Sequence, residues 1–232
     1  MMNSIPLSFL SKMGVYDIEI GGANVKVSVV DNPALLGAKM DELRSSLQTS
    51  ERQVVGLDVK FVKPDVGNPM IRPPLHDKGK FLLLCVGSHC LMIQLPNSET
   101  IISDTLGQFL SDETICFLGI GMSKIVSELG RLYYYPQHGQ NLTGSAFAQA
   151  GQSVNFKTGV EVGFLAAKIL KKPNVENHGL AELAGEIGMD IKEPIRECPD
   201  WNAKVFTNDE VKYAVHNAYT SYVIGNKLLD TL

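Results

Sequence analysis

The sequence predicts an α/β domain, a mixed β-sheet flanked by helices. Three observations carry that expectation. Short runs that alternate apolar and polar residues, or are wholly apolar, recur at strand length through the first half of the chain. Segments with apolar residues at helical spacing separate several of these runs, and the last quarter is mostly helical in pattern. Elements in that order pack most simply as one sheet with helices laid on its faces. The 232 residues fit a single domain, and 44% hydrophobic residues suffice for a core.

Residues 1–14 read as a loose, flexible leader to one domain over 15–232. Tyr16–Ile20 alternates, Gly21-Gly22 turns, and Val25–Val30 alternates again, which predicts a hairpin. Asp31-Asn32-Pro33 supplies a capping residue and a proline at the first helical position. Leu35, Leu36, Met40, Leu43 and Leu47 then make an amphipathic helix ending near Gln48. Val54–Phe61 is apolar on both sides of Asp58, which suits a central strand covered on both faces. Residues 63–80 hold four prolines and two glycines and read as a loop. Phe81–Val86 and Cys90–Leu95 flank Gly87-Ser88-His89, the pattern of a second hairpin. A short helix over Ser103–Leu110, a buried strand over Thr114–Gly119 and a helix over Ser123–Leu132 follow.

Residues 133–156 are the least regular part and read as a loop or lid-like segment. Val160–Leu170 is helical in pattern, and Asn177 is expected to cap a helix over Leu180–Ile187 that Gly188 ends. Thr207-Asn208-Asp209-Glu210 is a capping box. It opens a long helix whose inner face is Val211, Ala214, Val215, Ala218, Tyr222 and Val223.

Composition narrows the function. Lys+Arg number 21 and Asp+Glu 25, a net charge of −4, so a broad basic face for duplex DNA is not expected, although a local basic channel remains open. Four cysteines (Cys85, Cys90, Cys116, Cys198) without a C-x-x-C pair argue against a disulfide scaffold or a zinc ribbon. No apolar run approaches the ~18 residues of a membrane span. No basic residue precedes the apolar stretch near the N-terminus, so no signal peptide is expected. The expected placement is cytoplasmic or nuclear, where the Asn141-Leu142-Thr143 sequon has no role.

His76, His89, His138, His178 and His216 lack metal-ligand spacing. Gly119-x-Gly121 lacks the third glycine of a dinucleotide fingerprint. Lys168, Lys171 and Lys172 suit a helix C-terminus, with phosphate-backbone binding as the other reading. Tyr133–Tyr135 reads as a hinge or as a base-stacking run.

Five segments occur in order between Gln53 and Leu232: VVGLDVKF, FLLLCVGSHCLMIQL, FLGIGMSKIVSELG, GLAELAGEIGM and DWNAKVFTNDEVKYAVHNAYTSYVIGNKLL. Together they resemble the Werner-type 3′–5′ exonucleases, and more narrowly the small plant members of this DnaQ-like, RNase H-fold group. The resemblance implies a two-metal nuclease with four carboxylates around two divalent cations, magnesium or manganese, about 4 Å apart. One metal readies a water, the other steadies the leaving oxygen, and a tyrosine positions the water. The family's first motif is an Asp and a Glu two residues apart, hence on one face of a strand. Here those positions are Asp58 and Lys60. The second motif's Asp falls on Ile125, after Gly119-Ile120-Gly121. The third is a Tyr with an Asp four residues on, stacked on one helical face. Here they are Tyr213 and Asn217.

Asp58 and Tyr213 are thus the remnants of the catalytic set, and Lys60, Ile125 and Asn217 are its degenerate positions. Asn keeps an oxygen but drops the charge, and Ile offers no ligand. Lys puts a cation where a cation should bind; at ~4 Å like charges repel by ~4 kcal/mol at an effective dielectric near 20. Lys60 is expected to pair with Asp58, and no metal cofactor is expected. The implied function is a catalytically impaired or inactive member of the family, acting on nucleic acid or on a protein partner. Lys60 reads either as a phosphate anchor or as the internal ion pair of a decayed site. One alternative is an active exonuclease on single-stranded RNA or DNA, with magnesium or manganese held by Asp58 plus Glu128 or Asp209. Another is a structural protein with no nucleic-acid role. The resemblance also allows a homo-oligomer or a complex with an active family member, and implies no membrane partner.

Overall fold

The computed structural model describes residues 13–62, 77–96, 101–135, 151–192, 194 and 197–232. The leader over 1–12, the loop over 63–76, the irregular stretch 136–150, His76 and His138 lie outside the described residues.

Strands β1 (Val15–Ile20) and β2 (Ala23–Val30) form the first hairpin. Its turn, Gly21-Gly22, takes φ of 58° and 81°, which glycine adopts without a steric cost. Helix α1 (Pro33–Gln48) follows; the Asn32 side chain accepts the Ala34 N–H at 2.9 Å and Pro33 opens the first turn. β3 (Val54–Val62), β4 (Lys78–Val86) and β5 (His89–Gln94) are successive neighbours, with β4 antiparallel to both. Then come α2 (Asp104–Leu110), β6 (Cys116–Gly119), α3 (Met122–Leu129), the short pair β7 (Tyr133–Tyr134) and β8 (Gln152–Ser153), and β9 (Gly159–Glu161). α4 (Val162–Leu170), a 3₁₀ turn (Pro173–Asn177), α5 (Leu180–Glu186) and α6 (Asn208–Leu229) complete the order.

Seven strands form one mixed sheet in the order β1-β2-β5-β4-β3-β6-β9. The β2–β5, β3–β6 and β6–β9 pairs are parallel. β3 is therefore central, and alternation along it sends side chains to two different layers. Val55, Leu57 and Val59 pack with Met40, Leu43 and Leu47 of α1, with Leu106 and Phe109 of α2, and with Ile125 and Leu129 of α3. Gly56 turns the other way, toward α6. A methyl group there would run into the Ala218 carbonyl oxygen, so α6 rests on β3 at a point only glycine permits. On that side a second cluster joins Tyr16, Phe81, Trp201 and Phe206 to Val211, Ala214, Val215 and Ala218 of α6. A third gathers α4, α5 and the end of α6.

α6 is fixed at its start by the capping box. Thr207 Oγ1 accepts the Glu210 N–H at 3.3 Å, and Glu210 Oε2 accepts the Thr207 N–H at 2.7 Å. Thr207→Ala is expected to cost about 1 kcal/mol of stability, readable as a lower urea midpoint at unchanged m-value.

The structure corrects several sequence expectations. The helix expected from Val160 starts at Val162, because Gly159–Glu161 is taken up as a strand beside β6. Asn177 is not a helix cap; it ends the 3₁₀ turn, and Gly179 caps α5 by donating its N–H to Glu182 Oε2 at 3.0 Å. β4 begins at Lys78 rather than Phe81. The second hairpin has a two-residue turn, Gly87-Ser88, so His89 is the first residue of β5. Tyr134 is buried, while Tyr133 and Tyr135 are exposed beside the short β7–β8 pair. Although four cysteines argue against a disulfide scaffold, Cys85 and Cys90 face each other across β4 and β5 and are disulfide-bonded.

Candidate functional site

Asp58 and Lys60 share the α6-facing side of β3, as residues two apart on a strand must. The register of β3 against β4 slips between Lys60 and Phe61, a bulge beside the two side chains, after which Phe61 and Val62 pair with Gly79 and Lys78. Both are buried, Asp58 at 6% and Lys60 at 8% exposure. The Lys60 ammonium donates to Asp58 Oδ2 at 2.5 Å, and Asp58 Oδ1 accepts the Val59 N–H at 2.8 Å. Lys60 Nζ also stands 5.4 Å from the centre of the Tyr213 ring. Tyr213 sits in the second turn of α6, and its ring lies 6.0 Å from that of Trp201. Asn217, one turn further along α6, is half-buried.

Ile125 is elsewhere. It is 2% exposed and packs in the first cluster with Leu57 and Val59, on the opposite face of β3 from Asp58 and Lys60. The structure thus brings together Asp58, Lys60 and Tyr213, and does not bring Ile125 to them. Glu128 is also committed: its carboxylate accepts the Gly79 N–H at 2.8 Å and meets Arg131 at 3.4 Å. Asp209 lies in the exposed first turn of α6.

The donor set does not fit a pair of divalent cations. Asp58 already satisfies one oxygen with an ammonium and the other with a backbone N–H. Among the described residues no three Asp, Glu, His or Cys side chains gather in a way that could hold a metal. Hard divalent cations need several oxygen ligands with compensating charge. Asp58, Lys60 and Asn217 offer no net negative charge between them.

Two contacts nearby had no signal in the motifs. Glu161, at the end of β9, accepts the Gly121 and Met122 N–H groups at 3.0 and 2.9 Å and so caps α3. Gly121 holds φ at 69°, which turns its N–H toward that carboxylate. Lys124 lies 3.9 Å from the centre of the Phe61 ring and pairs with Asp77 at 3.0 Å, on the α3 side of the sheet, while Lys78 and Lys80 lie at the start of β4 beyond the bulge. The lysine cluster at the end of α4 is used locally: Lys172 pairs with Glu186 at 2.6 Å, which holds that carboxyl below its usual range, and Lys168 covers Phe164. Among the described residues no helix is long and apolar enough to cross a membrane.

No family model matches the chain. A protein of Acanthamoeba polyphaga mimivirus, R431, which carries the name of a 3′–5′ exonuclease, is 24% identical over 194 residues. The match spans 80% of this chain but only 42% of that protein, so the chain corresponds to less than half of the curated relative. Brucella melitensis NrnC superposes with a TM-score of 0.52 at 18% identity, covering 80% of this chain and 76% of NrnC. The same protein bound to pGG superposes equally well at 17% identity. The EXD2 exonuclease domain, solved after soaking in manganese and magnesium, is 22% identical with a TM-score of 0.44, covering 88% of this chain and 89% of that one. The mixed seven-stranded sheet between α1–α3 on one side and α4–α6 on the other is the RNase H-like, DnaQ-type fold of the exonucleases.

Proposed function

We propose that this chain is a catalytically impaired 3′–5′ exonuclease-type domain that binds single-stranded nucleic acid without trimming it. One observation carries the reading: the buried Lys60–Asp58 ion pair stands where the resemblance calls for two metal-binding carboxylates. A two-metal mechanism needs those charges to seat its ions. The pair instead leaves this end of β3 neutral, so a phosphate backbone meets no carboxylate repulsion there. Lys78 and Lys80, at the start of β4 across from the end of β3, add positive charge beside that end. The pGG-bound state of NrnC makes a short strand the ligand to test first.

The test is a short single strand labelled at its 3′ end, incubated with manganese, followed by filter binding of the same strand. Binding without release of label is the expected result. Its affinity should fall as salt rises, with a slope of about −0.7 per phosphate contacted. Lys60→Glu should weaken binding about tenfold. Manganese-dependent trimming would overturn the proposal and restore an active exonuclease. Absence of both binding and trimming would leave the domain a structural one.

A further inference from the structure

Cys85 and Cys90 are the first inward pair beyond Val86 and His89, which flank the Gly87-Ser88 turn. Both sulfurs point toward α6 and are shielded from solvent, in the cluster that also holds Trp201, Ala214 and Ala218. Cys85 is at the same time paired with Gly56 of β3, the residue on which α6 rests. The bonded pair therefore lies in the floor beneath α6, beside the point where the strand and the helix backbone meet most closely. Two thiols held at van der Waals contact take more room than one disulfide, and a tightly packed interior responds to added volume by shifting its movable part. Here the sheet is the fixed part and α6 the movable one.

We propose that Cys85–Cys90 is a reversible thiol–disulfide element whose state sets how α6 seats on β3, and through Tyr213 tunes the Asp58–Lys60 site. The tuning of strand binding rests on the function proposed above; the seating of α6 does not. The oxidant is a small-molecule disulfide of the glutathione type. One cysteine thiolate attacks it, forming a mixed disulfide and releasing one small thiol. The second cysteine thiolate then displaces the other small thiol, so two cysteine protons end on the two released thiols and the S–S bond moves to the protein. The reverse exchange with reduced thiol opens it. Access comes through the exposed Gly87-Ser88-His89 end of the hairpin, one residue away from the pair, where local opening is least costly.

The chain has one tryptophan, Trp201, and it lies in this cluster, so the whole protein reports on itself. The protein is equilibrated with oxidised glutathione or with dithiothreitol, then denatured, alkylated and weighed. The oxidised form should carry two alkyl groups, on Cys116 and Cys198, and the reduced form four. Cys198 is exposed, whereas burial pushes the Cys116 thiol up from its ordinary value, so alkylation is done after denaturation. Reduction should shift Trp201 emission, speed hydrogen exchange along α6 and lower Tm by about 5 °C. A Cys85→Ser/Cys90→Ser variant should give the same emission and Tm in both buffers; if it does not fold, the wild-type arms decide alone. Strand affinity should differ several-fold between the two states.

Four alkyl groups after treatment with oxidised glutathione would overturn the element. So would unchanged emission, exchange and Tm on reduction of a proven disulfide. A response of α6 with equal strand affinity in both states would overturn the coupling to the site. A response of α6 in a protein that binds no strand in either state would support the seating of α6 and overturn the proposed function instead.

Discussion

Asp58→Asn is expected to destabilise the domain by about 3–5 kcal/mol, measured as the loss of unfolding free energy in urea. The substitution keeps the shape of the side chain and an oxygen for the Val59 N–H, so what it removes is charge. The Lys60 ammonium is then left buried against β3 and Tyr213 with no counter-ion. Its partners would be a ring face and an amide oxygen, neither of which replaces a carboxylate at 2.5 Å. Removing both charges is a different experiment. In Asp58→Leu/Lys60→Met no ion remains to be desolvated, and apolar groups of similar size fill the space. The double variant should unfold within about 1 kcal/mol of the wild type, or above it. A single variant that costs less than about 1 kcal/mol would mean that Lys60 swings free to solvent, and the ion pair would then not be what occupies this end of the strand.

That contrast also separates two meanings of a lysine at this position. If Lys60 serves only to neutralise Asp58, the double apolar variant keeps the fold and keeps whatever strand binding Lys78 and Lys80 provide. If it anchors a phosphate, the same variant keeps the fold and loses affinity. Stability and binding therefore answer separate questions on the same two proteins.

Much of this architecture was legible from local signals. The two-glycine turn, the Asn32-Pro33 start and the Thr207–Glu210 capping box each fix an element end with short-range chemistry, and each lies where its residues predict. The run around Asp58, apolar on either side of it but for Lys60, announced a strand covered on both faces, because burial on both faces removes the alternation. What failed depends on partners remote in sequence. Val160 and Glu161 share the helical pattern of the residues after them, but with Gly159 they find an open edge on β6, and the sheet wins. Asn177 is a good capping residue that the chain does not use, since Glu182 reaches back to Gly179 instead. The Cys85–Cys90 pairing was within reach: a two-residue turn at 87–88 places 85 opposite 90, but a turn read one residue too long hid it. In the site, residues two apart on one strand could be placed on one face from sequence. The layer to which a helix turns its fourth residue after a glycine pair could not, and Ile125 is the case that shows it.

Ile125→Asp is expected to cost more than about 4 kcal/mol, the larger effect of the two, and at that level the soluble, cooperatively folding fraction should fall sharply. The wild-type side chain is among Leu57, Val59 and Leu129, so the variant both empties an apolar site and places a carboxylate in it. Placing carboxylates at the positions the resemblance names should therefore be limited by the core: Lys60→Glu, Ile125→Asp and Asn217→Asp together should fail to fold through the Ile125 change. Lys60→Glu with Asn217→Asp alone tests the other half of the reasoning. Lys60 shares the Asp58 face of β3 and Asn217 lies one turn beyond Tyr213 on α6, so three carboxylates would stand on that side of the sheet. Their mutual repulsion should destabilise the metal-free protein, and manganese should recover that loss as a rise in Tm that depends on its concentration. A manganese response in this variant, beside a triple variant that does not fold, would locate the obstacle to a full carboxylate set in how α3 is turned against the sheet. A triple variant as stable as the wild type would instead mean that Ile125 can leave the core, and the separation of the two faces at β3 would have to be given up.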